Sequence, residues 1–216
     1  MENKLEQPWT ANMIYNVLSR DPYTSKLFEG VFPIDRLPRR VLRRPCLIVG
    51  NFDEHDQSGS HWYALVLSND KDLTVYYFES YGVCPLTPEL RSFLQRVGGG
   101  RVCLSRRRLQ SESSAVCGVY ATLFLLYYAK YKNVNKFFNM FPMNGKTRDN
   151  DKIVQYLFLE RCYVLNLSSC NRVSEKNDNY VEMGRTLYSV SGGVIRMWRR
   201  QTCRPRGGVA RRGRVC

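Results

Sequence analysis

The chain has 216 residues, of which 44% are hydrophobic, and its 33 basic and 19 acidic side chains give a formal charge of +14 at pH 7. This size is enough for one domain with a full core, and no run approaches the ~18–20 consecutive apolar residues of a membrane span. Residues 1–6 lack the basic-then-apolar order of a signal peptide, so we expect a soluble protein made in a reducing compartment. The eight cysteines lack paired zinc-type spacing, so we expect no metal.

The first predicted element is a helix within residues 8–20, with Thr10 as its cap. Residues 28–45 contain several prolines and arginines and are predicted to form a connecting segment without regular structure. The short apolar run Cys46–Val49, bounded by proline and glycine, predicts a buried strand.

Two runs rich in aromatic and β-branched residues then predict a β-hairpin. The first, His61–Leu67, and the second, Leu73–Glu79, are joined by a short polar turn. An antiparallel hairpin places the start of its first strand beside the end of its second, so we expect His61 and Glu79 to meet. The second histidine of the chain, His55, is a rival base, but it lies in a polar loop and is interpreted as solvated.

The remaining elements complete a pattern of helices flanking strands. Thr87 predicts the cap of a helix that starts at residue 88. The later predictions are a strand-like segment at 101–109, a buried helix at Cys117–Tyr131, irregular structure at 133–146, a helix within 149–159 and a strand at 163–167. This order predicts an α+β domain with a central mixed sheet packed by helices.

A cysteine at the start of the buried helix suits a thiol nucleophile. A neighbouring His61 imidazolium and the positive end of the helix dipole would both favour the Cys117 thiolate, while Glu79 would orient the imidazole. Gln110, seven positions before Cys117, offers an amide donor for an oxyanion hole that the Cys117 N–H would complete. Gly118 would allow close approach of a substrate backbone. Each residue alone also fits a structural role, but their joint order favours catalysis.

This part of the chain resembles a known family. The matching motifs are His61-Trp62, Phe78-Glu79, Tyr81-Gly82, Gln110 and Cys117-Gly118. They are similar to those of the adenovirus-type (adenain-like) cysteine endopeptidases and of relatives encoded by Maverick-type transposons. More distantly, they resemble those of enzymes that process SUMO and other ubiquitin-like proteins. The resemblance spans about residues 21–160, and residues 28–33 and Asn150-Asp151 fit the transposon and small-virus branch. The chain departs from the adenovirus enzymes at Ser80-Tyr81.

The resemblance implies a papain-like or adenain-like cysteine protease fold. It implies His61 as general base, Glu79 as its orienter, Gln110 as oxyanion donor and Cys117 as nucleophile. It further implies cleavage of viral precursor proteins at small, Gly-rich sites, DNA as an activating partner, and a monomer located in the virion and the host nucleus. No organic cofactor and no membrane partner are expected.

The positive charge of the chain gives a second reason to expect that it binds DNA. Residues 194–216 contain eight arginines and no acid. Two clusters precede this tail, and the candidate DNA contacts within them are Arg39, Arg40, Arg43, Arg44, Arg106, Arg107 and Arg108. If the two clusters share a face, DNA affinity should fall steeply with salt. The alternative is a loop kept soluble by charge.

The domain prediction is a protease domain at 1–165, a connecting segment at 166–193 and a basic tail at 194–216. Residues 193–203 resemble the basic peptide that activates adenovirus proteases. The resemblance implies an activator supplied in cis, adding a strand to the sheet edge and bonding Cys203 to Cys103. Cys216 is a rival partner for Cys103, and a basic tail with a DNA role is the alternative.

Two other functions remain open from the sequence. One is a deconjugase of ubiquitin-like modifiers, which would also bind a Gly-Gly terminus in a narrow cleft. The other is a non-enzymatic, basic nucleic-acid-binding protein in which the Cys–His pair is incidental.

Overall fold

A mixed β-sheet forms the centre of the molecule. The computed structural model describes residues 7–84, 87–97, 101–165 and 214–215. In spatial order, the strands are β1 (Phe28–Pro33), β2 (Cys46–Asn51), β3 (Trp62–Leu67), β4 (Val75–Glu79), β5 (Arg101–Leu104) and the two-residue β6 (Arg214–Val215). The pairs β2–β3 and β3–β4 are antiparallel, and the others are parallel. The predicted α+β class with a mixed sheet is therefore confirmed.

Within these ranges, α-helices surround the sheet. They are α1 (Ala11–Arg20), α2 (Pro88–Val97), α3 (Cys117–Tyr131), α4 (Asn135–Phe138) and α5 (Thr147–Leu165), and a 3-10 turn covers Ile34–Arg36. The predicted cap of α1 is confirmed, because the Thr10 hydroxyl accepts the Met13 N–H at 3.3 Å. None of the helices in the described ranges is long and apolar enough to cross a membrane.

The sheet has a hydrophobic core on each face. On one face, α1, α3, α4 and α5 pack against alternate strand residues such as Val49 and Phe78. On the other, α2 and the segment around Ile34 pack against the intervening residues, such as Ile48 and Tyr77. Every residue of β2 is buried, as expected for a strand covered on both faces. Helix α3 is the central helix, and 12 of its 15 residues are buried.

Three of the predicted elements are corrected by the structure. The connection predicted at 28–45 contains strand β1, because parallel pairing with β2 gives the segment a ladder partner that a local pattern does not reveal. The irregular segment 133–146 contains the short helix α4. The strand predicted at 163–167 is wrong for residues 163–165, which continue helix α5 without a break; residues 166–167 lie outside the described part.

The predicted activating segment 193–203 also lies outside the described residues. The strand that pairs with β5 is Arg214–Val215, with Arg214 opposite Arg101. Cys103 is buried on β5, and its predicted partner Cys203 lies outside the described residues, so the bond between them stays a prediction. Cys84, after β4, is disulfide-bonded.

Candidate functional site

The hairpin of β3 and β4 brings His61 and Glu79 together, as predicted. Its register pairs Tyr63 with Glu79, so His61 lies just beyond the last paired residues. His61 Nε2 is 3.1 Å from Glu79 Oε2. The Glu79 carboxylate is almost fully buried, and its other oxygen accepts the Val83 N–H at 3.2 Å. The carboxylate is thus held by the turn that follows β4 and has one oxygen directed at the imidazole.

His61 also contacts Cys117, which connects the hairpin to helix α3. Burial by itself would lower the pKa of His61, but hydrogen bonds to Cys117 and Glu79, together with the negative charges of these partners, raise it to about 9. Nε2 is the ring nitrogen that faces Glu79. These contacts favour the protonated form of the His61 ring.

Two aromatic rings stack with the imidazole. The ring of Phe52 is nearly parallel to that of His61, with centroids 6.0 Å apart, and the ring of Tyr81 stacks with it at 4.7 Å. The Arg108 guanidinium lies 5.7 Å from the centre of the Tyr81 ring. Aromatic faces attract cations, so this stack fixes the ring plane and is compatible with its charged form.

Cys117 is the first residue of α3, as predicted from the sequence. The residue is buried, with 8% of its surface exposed. The preceding residue, Val116, makes no side-chain capping hydrogen bond. Backbone N–H groups of the first turn of a helix have no partner within the helix, so the Cys117 N–H is not used by α3 and lies at the positive end of the helix dipole.

Gly118 has a packing role in the structure. A Cβ atom at this position would lie 2.7 Å from Trp9 Cβ and 3.2 Å from Trp62 Cδ1. The indole N–H of Trp62 donates to the Trp9 carbonyl at 2.8 Å, which fixes the two tryptophans together. The absence of a side chain at Gly118 therefore lets the start of α3 pack against the tryptophan pair, and approach of a substrate backbone stays a prediction.

Gln110 is fully buried and is connected to both other parts of the site. Its Oε1 accepts the Ser80 hydroxyl at 2.5 Å, and its Nε2 donates to the Ser114 carbonyl at 2.7 Å. Ser80 directly follows Glu79, and Ser114 lies three residues before Cys117. The four predicted catalytic residues therefore share one end of the sheet.

The segment 109–111 is also held from the side of α5. The buried Asp151 carboxylate accepts the Ser111 N–H at 3.2 Å and the Tyr120 hydroxyl at 3.1 Å. The side-chain amide of Asn150 donates to the Leu109 carbonyl at 3.2 Å. The first turns of α5 thus fix the backbone on either side of Gln110.

His55, the rival base, is remote from this arrangement of contacts. It is 46% exposed, and its Nδ1 lies 2.7 Å from Asp35 Oδ2. The structure therefore gives it an acidic partner on the surface, whereas His61 alone contacts the thiol.

The predicted DNA-binding arginines differ in their exposure and in their contacts with the protein. Several contact the protein itself. Arg44 donates to the carbonyls of Ser68, Leu73 and Val97, and Arg107 donates to those of Phe138, Phe141 and Pro142. Arg43 donates to the Phe28 carbonyl, and Arg108 pairs with Glu112 at 2.8 Å. Arg39, Arg40 and Arg106 are exposed. DNA binding by these residues stays a prediction.

A cavity of about 670 Å³ lies at the opposite end of the sheet from Cys117. It is lined by residues that include Ser68, Asp70, Tyr76, Tyr128 and Lys132. Within the described ranges, no cluster of three or more His, Cys, Asp or Glu side chains could hold a metal ion.

Comparison of the sequence with protein-family models and with curated proteins found no match. Function is therefore inferred from contacts among the described residues. Sequence reasoning did not identify Trp9, Phe52 or Asp151 as parts of the site, because each reaches it through tertiary packing. Ser80 and Tyr81, where the chain departs from the adenovirus enzymes, both contact catalytic candidates.

Proposed function

We propose that this protein is a cysteine endopeptidase, a thiol protease with a papain-like or adenain-like fold. The observation that carries the proposal is the contact of one partly buried histidine with both a carboxylate and a thiol at a helix start. His61 contacts Glu79 and Cys117, and these contacts raise the pKa of His61 to about 9. A base oriented by a third group and placed on a nucleophile is the arrangement that covalent catalysis requires.

The reaction would proceed in two steps. In the first, the Cys117 thiolate attacks the scissile carbonyl, and the oxyanion is stabilised by the Cys117 N–H and by Gln110. The His61 imidazolium then donates its proton to the leaving amine, the C–N bond breaks and a thioester remains. In the second, neutral His61 takes a proton from water as the water oxygen attacks the thioester; the C–S bond then breaks, the carboxylic acid product leaves, and the Cys117 thiolate and the His61 imidazolium are restored. Glu79 keeps the imidazole in orientation throughout.

The substrates that we propose are viral precursor proteins cut at small, Gly-rich sites. Support comes from the resemblance of the motifs around His61, Glu79, Gln110 and Cys117 to adenovirus-type endopeptidases. Stimulation by DNA, action as a monomer, and location in the virion and the host nucleus belong to the same proposal, with the formal charge of +14 as support for a polyanionic partner.

Selective alkylation tests the nucleophile. Mild iodoacetamide treatment at neutral pH, followed by mass spectrometry, should label Cys117 first. Cys46 is an internal comparison, because its burial and the nearby Glu29 raise the pKa of its thiol to about 12. A His61→Ala variant should lose the rapid labelling of Cys117. Equal labelling of Cys117 in both proteins would contradict activation by His61.

Paired substrates distinguish a peptidase from a deconjugase. A Gly-Gly-containing viral precursor peptide and the carboxyl-terminal conjugate of a ubiquitin-like modifier would be compared at equal concentration. Faster turnover of the precursor peptide supports the endopeptidase, whereas exclusive turnover of the conjugate would assign the protein as a deconjugase. A non-enzymatic nucleic-acid-binding protein would show neither turnover nor preferential alkylation of Cys117.

A further inference from the structure

Ser80 holds Gln110 by both its side chain and its backbone. Its hydroxyl donates to Gln110 Oε1 at 2.5 Å. Its carbonyl accepts two backbone N–H groups, from Leu109 at 2.8 Å and from Gln110 at 3.0 Å. Ser80 is 1% exposed and Gln110 is fully buried, so water does not compete for these bonds.

These contacts determine which end of the Gln110 amide faces which neighbour. The Ser114 carbonyl can only accept, so the group that faces it at 2.7 Å must be the Nε2 amino group. The oxygen end then faces Ser80, and the Ser80 hydroxyl must donate to it. A side-chain amide has two N–H groups, and Ser114 uses one of them. The second N–H of Gln110 is left with its direction fixed by the two serines.

We infer that Ser80 is a positioning residue for the oxyanion hole and acts through Gln110. The inference depends on the proposed function, because it presupposes that Gln110 stabilises an oxyanion formed on attack by Cys117. Hydrogen-bond donors are effective in such sites when they are held in place before charge develops. Ser80 also directly follows Glu79 in the chain, so the residue that orients His61 is bonded to the residue that orients Gln110.

Two reactions of Cys117 separate this role from a general structural one. Acylation by p-nitrophenyl acetate forms a C–S bond through an oxyanion and then releases p-nitrophenolate, leaving a thioester. Alkylation by iodoacetamide displaces iodide and forms no oxyanion. In Ser80→Ala, acylation should slow by about tenfold, less than the 10²–10³-fold typical of deleting a donor. Alkylation should keep its wild-type rate, because the contacts of Cys117 with His61 are intact.

A double-mutant cycle tests whether Ser80 acts through Gln110. Gln110→Ala should slow acylation more than Ser80→Ala does, and adding Ser80→Ala to Gln110→Ala should cause no further loss. Ser105→Ala is the matched control, since it removes another buried serine hydroxyl, on the segment that follows β5, and should change neither reaction. Thermal unfolding of each variant verifies that it is folded.

The possible failures are distinguishable. Equal acylation rates in wild type and Ser80→Ala, or a parallel decrease of acylation and alkylation, would overturn the positioning role while leaving the nucleophile established. Additive losses in the cycle would also overturn it. A different result would overturn the proposed function, and this inference with it. In that case, Cys117 of the wild-type protein would react with p-nitrophenyl acetate and with iodoacetamide no faster than a cysteine in an unfolded peptide does.

Discussion

His61 is surrounded by four side chains of two different kinds. Glu79 and Cys117 hydrogen-bond to its ring nitrogens, while Phe52 and Tyr81 lie against its faces. The first pair favours the protonated ring, and the second restricts its rotation. Charge and orientation of the base are thus determined by separate groups.

The pH dependence of activity should report the protonated His61. Its pKa is raised to about 9, so the imidazolium that donates to the leaving amine is present below this pH and is lost above it. We expect kcat/KM to fall as the pH rises through about 9. Cys117 and Glu79 both raise this pKa, and Glu79→Gln removes the charge of one of them, so the fall should move to lower pH.

The same variant should lose activity on the order of 10²–10⁴-fold, the range typical of acid–base groups. Glu112→Gln is a matched control, because it removes the same charge from a carboxyl that is 82% exposed. In this variant, kcat/KM should fall at the same pH as in the wild type. If kcat/KM of Glu79→Gln fell at the same pH as that of the wild type, the role assigned to the Glu79–His61 pair would be contradicted.

Gly118→Ala tests the contact between α3 and the tryptophans. Alanine normally favours a helix over glycine by ~1 kcal/mol. Here the added Cβ would lie 2.7 Å from Trp9 Cβ, an atom fixed to the backbone. We expect a loss of unfolding free energy of about 1–3 kcal/mol, as for other overpacked sites, measured by urea denaturation. A variant as stable as the wild type would show that the contact relaxes freely.

At the level of elements, the first turns of α5 hold the segment that carries Gln110. Asn150 and Asp151 bind the backbone of Leu109 and Ser111, and Ser80 binds it from the opposite side. The end of β4 and the start of α5 thus enclose the oxyanion-hole segment. This gives a structural reason for the Asn-Asp pair in the family resemblance.

Asp151→Asn should weaken this attachment. Its carboxylate accepts two hydrogen bonds, and an amide nitrogen in place of one oxygen would face a donor. We expect the free energy of unfolding to fall by about 1–3 kcal/mol, the usual penalty for a buried unsatisfied group. Asp149→Asn, an exposed change of the same charge in the same turn, should have little effect. Equal stability of the two variants would contradict the attachment.

Local patterns predict most helices and strands, and contacts distant in sequence explain the failures. Helix α3 begins and ends where the apolar run does, and the hairpin follows from two runs and a turn. Strand β1 is not predicted from the sequence because it pairs with β2 in parallel, and a parallel pair has no tight turn between its strands that a local pattern could reveal. Residues 163–165 alternate like a strand but continue α5, since three residues cannot override an established helix.

The site is predictable to the extent that it depends on the hairpin and a helix start. His61 and Glu79 meet through the register of β3 and β4, which the sequence implies. The contacts of Ser80 with Gln110 and of Trp9 with Gly118 join distant segments. No periodicity marks those residues, so the sequence offers no signal for them.

At the scale of the whole molecule, arginines of the described residues lie at both ends of the sheet. Arg44 contacts the turn between β3 and β4, whereas Arg108 lies over Tyr81 at the catalytic end. DNA binding should therefore depend more on the exposed Arg39 and Arg40 than on Arg44. Changing both Arg39 and Arg40 to Gln should reduce the slope of log affinity against log salt by about one for each phosphate that is no longer neutralised. An unchanged slope would contradict their role.

Hydrolysis of a Gly-Gly-containing peptide by three proteins tests the central claim most directly. The wild type should cleave it, and Cys117→Ala should have no activity above background. Cys46→Ala is the matched control, because this buried thiol pairs with Leu67 at the end of the sheet opposite His61, and the variant should keep wild-type turnover. Full activity in Cys117→Ala would contradict the assignment of Cys117 as the nucleophile.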